Sequence, residues 1–139
     1  MSDSSGLPSS GIMQMLGGRI DSFGEGVSVM SVTLEDKHMN PNGVVHGGVL
    51  TTLMDEATGH AIVTIRGLEA MAETPHATVD MSVSFLSGAR VGDELVCEAR
   101  TLRLGRSIAF AEAEILRKGS RDLIAKGRFT YAILQKRSS

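Results

Sequence analysis

The chain has no tryptophan, one tyrosine and four phenylalanines in 139 residues, and its net charge is −2. A nucleic-acid-binding surface needs a basic excess for the phosphates and often aromatic rings for the bases, so this composition argues against that class. No apolar run reaches the roughly 18 residues that a membrane-crossing helix needs. The sequence therefore predicts a protein that binds neither nucleic acid nor a membrane.

Cysteine is almost absent, because Cys97 is the single one and cannot form a disulfide within the chain. The start, MSDSSGLPSS, has neither the basic residues nor the apolar run of a signal peptide. Both features predict a cytoplasmic protein. Cys97 lies in an alternating segment without a neighbouring histidine, which indicates a buried structural thiol rather than a nucleophile.

At 139 residues and 42% hydrophobic content, the chain has the size of one domain with its own core. Residues 1–9 are rich in serine and lack periodicity, which predicts a disordered tail before a domain over residues 10–139. Residues 1–89 hold 3 basic and 10 acidic side chains, whereas residues 90–139 hold 11 and 6. A mixed solvated surface or a basic strip for a polyanionic small molecule would both fit this asymmetry.

The hydrophobic pattern predicts an α+β domain in which a strand and a long helix precede four strands. A short helix from residue 10, a strand over 26–34 and a loop over 35–45 lead into a helix over 46–66. The core face of that helix is predicted to carry Leu50, Leu53, Met54, Ala57, Ala61 and Ile65. Alternating runs follow at residues 78–85, 94–104, 107–116 and 123–134. Their short glycine-bearing gaps favour antiparallel hairpins.

The loop before the long helix ends in His46-Gly47-Gly48, and this junction is a candidate binding site. Two glycines allow a ligand to approach the backbone closely, and the amides of a first helical turn carry the positive end of the helix dipole. Such a terminus suits a polarised carbonyl oxygen. The alternative is a tight loop-to-helix turn without chemistry.

Two adjacent carboxylates, Asp55 and Glu56, lie further along the same helix and point about 100° apart. Asp55 shares its face with the small residues Thr51 and Gly59, which leave space beside it. Glu56 is predicted to lie on an ordinary amphipathic flank. A solvated or salt-bridged role is the alternative for either acid.

The run N-P-N-G-V-V-H-G-G-V-L-T-T-L-M-D over residues 40–55 resembles the HGG signature of the thioesterase superfamily, in its PaaI-type or 4-hydroxybenzoyl-CoA group of hotdog-fold enzymes. In that family an acid follows the histidine by nine residues, as Asp55 follows His46 here. The resemblance continues through residues 78–85, 92–93 and 104–107. It implies the hotdog fold, one long helix wrapped by a curved antiparallel sheet, and hydrolysis of an acyl-CoA.

By position, the resemblance assigns the Gly47 N–H and the Asn40 side chain to the thioester carbonyl, with His46 supporting them. Asp55 becomes the general base or the nucleophile, two roles between which the sequence does not choose, and Thr78 helps to orient the water. Contacts to the coenzyme A thioester are expected from Gly48, Arg103, Arg106, Ser107 and Arg128. The implied reaction uses no cofactor, since coenzyme A is part of the substrate. Gly59 replaces a threonine of the 4-hydroxybenzoyl-CoA group, which favours the PaaI side.

Distance along the helix predicts a homodimer with shared active sites. Gly47 and Asp55 are separated by roughly 12 Å along the axis of one helix, so they cannot act on the same thioester carbon. Two antiparallel helices across a two-fold axis would bring them together. The resemblance adds a dimer of dimers as an expectation.

The sequence leaves alternatives to a thioesterase. An acyl-CoA sensor of the same fold would keep the pocket but would not need Asp55. A hydratase or dehydratase would need a second, differently placed histidine. A metal centre is not expected, because the four histidines show no H-x-x-x-H or H-E-x-x-H spacing.

Overall fold

The computed structural model describes residues 7–135 and has a long helix against one sheet of six strands. The helices are α1 (Gly11–Leu16), α2 (Gly47–Arg66) and α3 (Leu68–Glu73), with a 3-10 turn at Asp36–His38. The strands are β1 (Arg19–Gly24), β2 (Val27–Thr33), β3 (His76–Phe85), β4 (Glu94–Leu104), β5 (Ile108–Arg117) and β6 (Leu123–Ile133). Every pair in the order β1-β2-β4-β5-β6-β3 is antiparallel. The predicted α+β architecture is confirmed.

The sheet packs one face against α2, and small side chains make the close approach possible. Alternate positions of β4, β5 and β6 point toward the helix, as the period of two requires. Several of these inward positions are fully or almost fully buried alanines, namely Ala99, Ala109, Ala111, Ala113 and Ala125. The larger side chains of the core come from the helix, from β2 and from other positions of the same strands, such as Leu95, Ile115 and Phe129.

Helix α2 begins where the sequence predicted, because His46 caps it. The His46 Nδ1 accepts the Gly48 N–H at 2.9 Å, which satisfies one of the unpaired amides of the first turn. The helix ends at Gly67, whose φ of 88° favours glycine. Five of the six predicted core residues are buried, but the prediction is wrong for Ile65, which is 49% exposed. Ile65 lies in the last turn beside Gly26, at the edge of the sheet.

Three parts of the fold differ from the sequence prediction. Strand β1 and helix α3 were not predicted, because neither has a buried apolar face: no residue of either is fully buried. The four C-terminal strands are not a simple succession of hairpins either. Strand β3 pairs with β6 at the edge of the sheet, and β4 pairs with β2 and β5.

The chain before α1 packs against α2 from residue 7 onward. Leu7 is 4% exposed, and the Pro8 carbonyl oxygen accepts a hydrogen bond from His60 Nε2 at 2.9 Å. Of the tail predicted over residues 1–9, residues 7–9 lie against α2, while residues 1–6 lie outside the described part of the chain. Within residues 7–135, no helix is long and apolar enough to cross a membrane.

Candidate active site

Asp55 is held by hydroxyl groups from two strands. Thr78 of β3 donates its Oγ1–H to Asp55 Oδ1 at 2.6 Å, and the Tyr131 hydroxyl of β6 lies 3.2 Å from the same oxygen. The neighbouring position Gly59 leaves open space, as the small-residue face predicted. Asp55, Gly59, Thr78 and Tyr131 together line a cavity of about 310 Å³. The arrangement presents a fixed carboxylate to a small molecule.

Tyr131 is the main member of this site that sequence reasoning missed. Its hydroxyl also donates to the Asp55 backbone oxygen at 2.7 Å and lies 2.7 Å from Thr58 Oγ1. Burial raises the pKa of Tyr131, and the charge of Asp55 raises it further, so the side chain stays a neutral donor. Tyr131 follows Phe129 by two residues in an alternating strand, so both side chains face the core. A tyrosine that faces the core needs a polar partner for its hydroxyl, and this requirement is the signal that could have identified Tyr131.

His76 packs against Tyr131 in the cavity wall, and its ring is neutral. The two rings meet edge to face, with centroids 5.2 Å apart and planes at 88°. His76 Nε2 donates to the Gly59 carbonyl oxygen at 3.2 Å, while Nδ1 accepts from Arg66 at 3.1 Å. Burial lowers the pKa of His76, and the charges of Arg66 and His60 lower it further. His76 therefore fixes the cavity wall without adding a positive charge to it.

Of the two alternatives for Glu56, a solvated or a salt-bridged role, the structure excludes the solvated one and shows a contact with His60. Its carboxylate accepts the Ser10 N–H at 3.0 Å and lies 3.5 Å from His60 Nε2. The Glu56 side chain is only 16% exposed because the segment before α1 covers it. Both adjacent acids line the cavity, but they differ in their partners: Glu56 binds the N-terminal segment, whereas Asp55 receives hydroxyl groups from the sheet.

The N-terminus of α2 presents a separate group of donors. The Gly47 N–H has no acceptor among residues 7–135, whereas the Gly48 N–H is bound to His46 Nδ1. Asn40 Oδ1 accepts the N–H groups of Asn42 and Val44 at 2.9 and 3.2 Å, so its amide nitrogen points away from that turn. The structure therefore offers two N–H donors, one from Gly47 and one from Asn40.

Gly47 and Asp55 belong to different cavities. Gly47 lines a cavity of about 450 Å³ with Leu50 and Phe85, and among the described residues this cavity shares no lining residue with that of Asp55. Since α2 begins at Gly47, the separation of roughly 12 Å along the helix stands. One chain does not bring the two groups together.

The predicted coenzyme A residues lie in two places. Arg106 and Ser107 are exposed in the turn between β4 and β5, and the Ser107 carbonyl accepts the Ile133 N–H at 2.8 Å. Ile133 faces His76 across the strand pair, so this turn lies at the same end of the sheet as the Asp55 cavity. Arg103 is exposed near the end of β4.

Arg128 points the other way, toward the outer face of the sheet. It lines a cleft of about 240 Å³ with Ser82, Glu112 and Lys126. In the described chain, none of Arg103, Arg106 and Arg128 forms an ion pair at 4.0 Å or less. Their charges are therefore not neutralised by a contacting carboxylate.

Neither a metal-binding cluster nor a reactive cysteine is found among residues 7–135. Across residues 7–135, no group of three or more His, Cys, Asp or Glu side chains is placed to hold a metal ion. Cys97 is fully buried, as predicted, and burial raises the pKa of its thiol. Such a thiol is a poor nucleophile.

Comparison with known proteins agrees with this fold. The Escherichia coli PaaI protein from the phenylacetic acid degradation operon superposes with a TM-score of 0.83 at 21% identity, over 97% of this chain and 92% of that one. A hypothetical thioesterase from Streptococcus pneumoniae, solved with coenzyme A, gives 0.76 at 21%, over 88% and 89%. The long helix and the curved antiparallel sheet are thus a hotdog fold.

The sequence comparisons carry the assignment from fold to family. The model of the thioesterase superfamily matches residues 42–124, which include Gly47, Asp55 and Thr78. Acyl-coenzyme A thioesterase 13 of Mus musculus is 35% identical over 103 residues, or 73% of this chain and 69% of that protein. The chain belongs to the thioesterase superfamily, and it is a thioesterase.

Proposed function

We propose that the chain hydrolyses an aryl- or medium-chain acyl-CoA to the free acid and coenzyme A. The observation that carries this proposal is Asp55, a carboxylate held by Thr78 and Tyr131 in a cavity of about 310 Å³. The name of the mouse relative and the coenzyme A in the streptococcal structure support an acyl-CoA substrate. Cys97, buried and without a disulfide partner, suits a cytoplasmic setting.

In the proposed reaction the Gly47 N–H and the Asn40 amide donate to the thioester carbonyl oxygen. One such donor contributes about 2.7 to 4 kcal/mol where the charge develops. His46 supports them because it caps the first turn and fixes the direction of the Gly47 N–H. Gly48 contributes the absence of a side chain, since a Cβ there would lie 3.1 Å from His46 Nδ1.

Asp55 has two possible roles at the carbonyl carbon. As a general base, it takes a proton from water while the water oxygen attacks, the C–S bond breaks and the thiolate of coenzyme A is protonated. As a nucleophile, it forms a mixed anhydride with release of the thiolate, and water then cleaves the anhydride. The Thr78 hydroxyl, 2.6 Å from Asp55 Oδ1, orients the carboxylate in either case and lies close enough to orient the water.

We propose a homodimer in which each site takes Asp55 from one chain and the donors from the other. Strand β3 is an edge strand that runs past both groups: Thr78 at one end contacts Asp55, and Phe85 at the other end lies beside Gly47. Pairing two β3 edges antiparallel, with the two-fold axis near Met81, would set Thr78 opposite the partner's Phe85. Gly47 of the partner subunit would then face Asp55.

The exposed side chains of β3 support this pairing. Val79 is 60% exposed and Met81 is 42% exposed. Large apolar side chains on an unpaired edge strand favour association with another chain. A dimer of dimers remains a further expectation from the family resemblance.

The proposal predicts thioester hydrolysis without added metal. We expect thiol release from a panel of phenylacetyl-CoA, hydroxybenzoyl-CoA and C4 to C16 acyl-CoAs, measured with a thiol reagent against the spontaneous rate. The same rate should be found in excess chelator, since no described side chains form a metal site. Binding of the thioesters without thiol release would favour the alternative, an acyl-CoA sensor of the same fold.

Arg106 is predicted to contact the phosphates of coenzyme A, together with Arg103 and Ser107; Arg128 is not included, because it lies in a separate cleft on the outer face of the sheet. Arg106→Ala should raise KM for the thioester and leave kcat unchanged, because contacts far from the reacting carbon stabilise ground and transition states equally. The effect should shrink at high salt, since exposed charges are screened. Arg90, which donates to the Gly43 carbonyl oxygen, serves as the control arginine. A change confined to kcat would contradict this role.

A further inference from the structure

Residues 7–10, which we call the N-terminal strap, close one side of the Asp55 cavity. Leu7 is buried, and Pro8, Ser9 and Ser10 line the cavity. The strap leads into α1, where Ser10 Oγ accepts the Met13 N–H at 3.1 Å and Met13 is 1% exposed. The strap is therefore a wall of the site with packed ends.

Two acid-base side chains of α2 hold this wall by its backbone. Glu56 Oε2 accepts the Ser10 N–H at 3.0 Å, and His60 Nε2 donates to the Pro8 carbonyl oxygen at 2.9 Å. The carboxylate and the imidazole also contact each other at 3.5 Å, and their side chains are 16% and 7% exposed. Both anchors are mostly covered by protein, they line the cavity, and they bind the backbone of the strap.

The cavity runs along α2 away from Asp55. Its floor consists of Asp55, Gly59 and Val63, which are spaced one turn apart and span roughly 12 Å. Gly59 adds no side chain to this floor, and a Cβ there would touch the Tyr131 hydroxyl at 3.5 Å, an ordinary contact distance. Met71 lines the cavity from α3, so apolar walls meet the strap beyond the reacting end.

We propose that Glu56 and His60 are specificity-determining residues that limit the length of the acyl group by holding the N-terminal strap across this cavity. The inference rests on the proposed function, since the thioester carbon must lie at Asp55. The acyl group then extends over Gly59 toward Val63 and the strap. Neither anchor takes part in the bond changes at the thioester carbon.

The test compares length profiles in the full chain. In His60→Ala and Glu56→Ala, we expect kcat/KM for C12 and C16 acyl-CoAs to rise at least tenfold relative to C6, because a wall that admits extra methylenes changes discrimination by that order. Glu56→Gln keeps an acceptor for the Ser10 N–H and should keep the wild-type profile. Glu69→Ala, an exposed acid of α3, is the control.

A second readout measures the strap itself. Hydrogen exchange of the amides of Leu7, Ser9 and Ser10 should be faster in the two alanine variants than in Glu56→Gln. Leu7→Ala, which loosens the strap without changing α2, should reproduce the altered length profile. This variant keeps the test possible if an alanine change at Glu56 or His60 prevents folding.

The outcomes separate this inference from the proposed function. Suppose that the wild type cleaves thioesters, but the variants that loosen the strap keep the wild-type length profile or lose activity equally at every length. The specificity role is then wrong, and the proposed thioesterase function is unaffected. If no thioester is cleaved, the proposed function fails. The inference is then judged by the affinities of acyl-CoA thioethers of increasing length, which must shift toward longer chains in His60→Ala.

Discussion

Replacing Asp55 by asparagine is expected to lower kcat by about 10³-fold or more, while Glu56→Gln lowers it far less. Removing a positioned base costs about 10² to 10⁴ in rate, and removing a nucleophile stops the covalent route altogether. Glu56 faces Ser10 and His60 rather than Thr78 and Tyr131, so its charge is not needed at the thioester. The measurement is single-turnover thiol release at equal folded content.

The asparagine variant is a fair comparison because it conserves the local contacts. Its side-chain oxygen still accepts from Thr78 and Tyr131, and its volume is nearly unchanged. Equal circular dichroism spectra and unfolding midpoints should confirm the fold. If Glu56→Gln proved the more damaging change, the acid would have been assigned to the wrong residue of the pair.

Local patterns predicted the elements better than their arrangement. The bounds of β4 at Glu94–Leu104 were predicted correctly, and those of α2 to within one residue, because both elements have a periodic buried face. Strand β1 has no such face and was missed. The partner of β3 was also missed. The short connection from β3 to β4 favours a hairpin between these two strands, whereas in the structure β3 pairs with β6.

The residues of the candidate site also differ in whether the sequence predicts them. Asn40, His46, Gly47 and Asp55 lie within one stretch of 16 residues, so their order and spacing are visible in the sequence. Tyr131 reaches Asp55 across 76 residues, and its approach depends on strand pairing that no local pattern reports.

The strap illustrates a different limit of sequence reasoning. Residues 7–9 have the composition of a disordered segment, yet the buried His60 binds the Pro8 backbone and the partly buried Glu56 binds that of Ser10. Backbone groups are the same in every residue type except proline, so composition carries no sign of such contacts. Glu56 and His60 would have been the only indication, as an i, i+4 pair without an obvious partner.

Mixing two inactive chains is expected to restore about a quarter of wild-type activity if the active site is shared. One chain carries Asp55→Asn, and the other carries Asn40→Ala with Gly47→Ala. Random pairing of equal amounts makes half of the dimers mixed, and each mixed dimer has one intact site out of two. The intact site combines Asp55 of the second chain with Asn40 and Gly47 of the first.

The structure supplies both the reason and the control for this experiment. Gly47 and Asp55 open into different cavities of one chain, whereas antiparallel β3 edges would join the cavity of one chain to the donors of the other. Gly47→Ala keeps the backbone N–H and places a Cβ 3.3 Å from Phe85 Cζ, so the loss of activity in this chain is expected from the missing Asn40 amide and from the Cβ beside the remaining donor. Subunit exchange is verified by native mass spectrometry of chains that differ in mass. A mixture that exchanges fully and stays as inactive as its parents would place the whole site within one chain, and the roughly 12 Å separation along α2 would then have to be closed by movement.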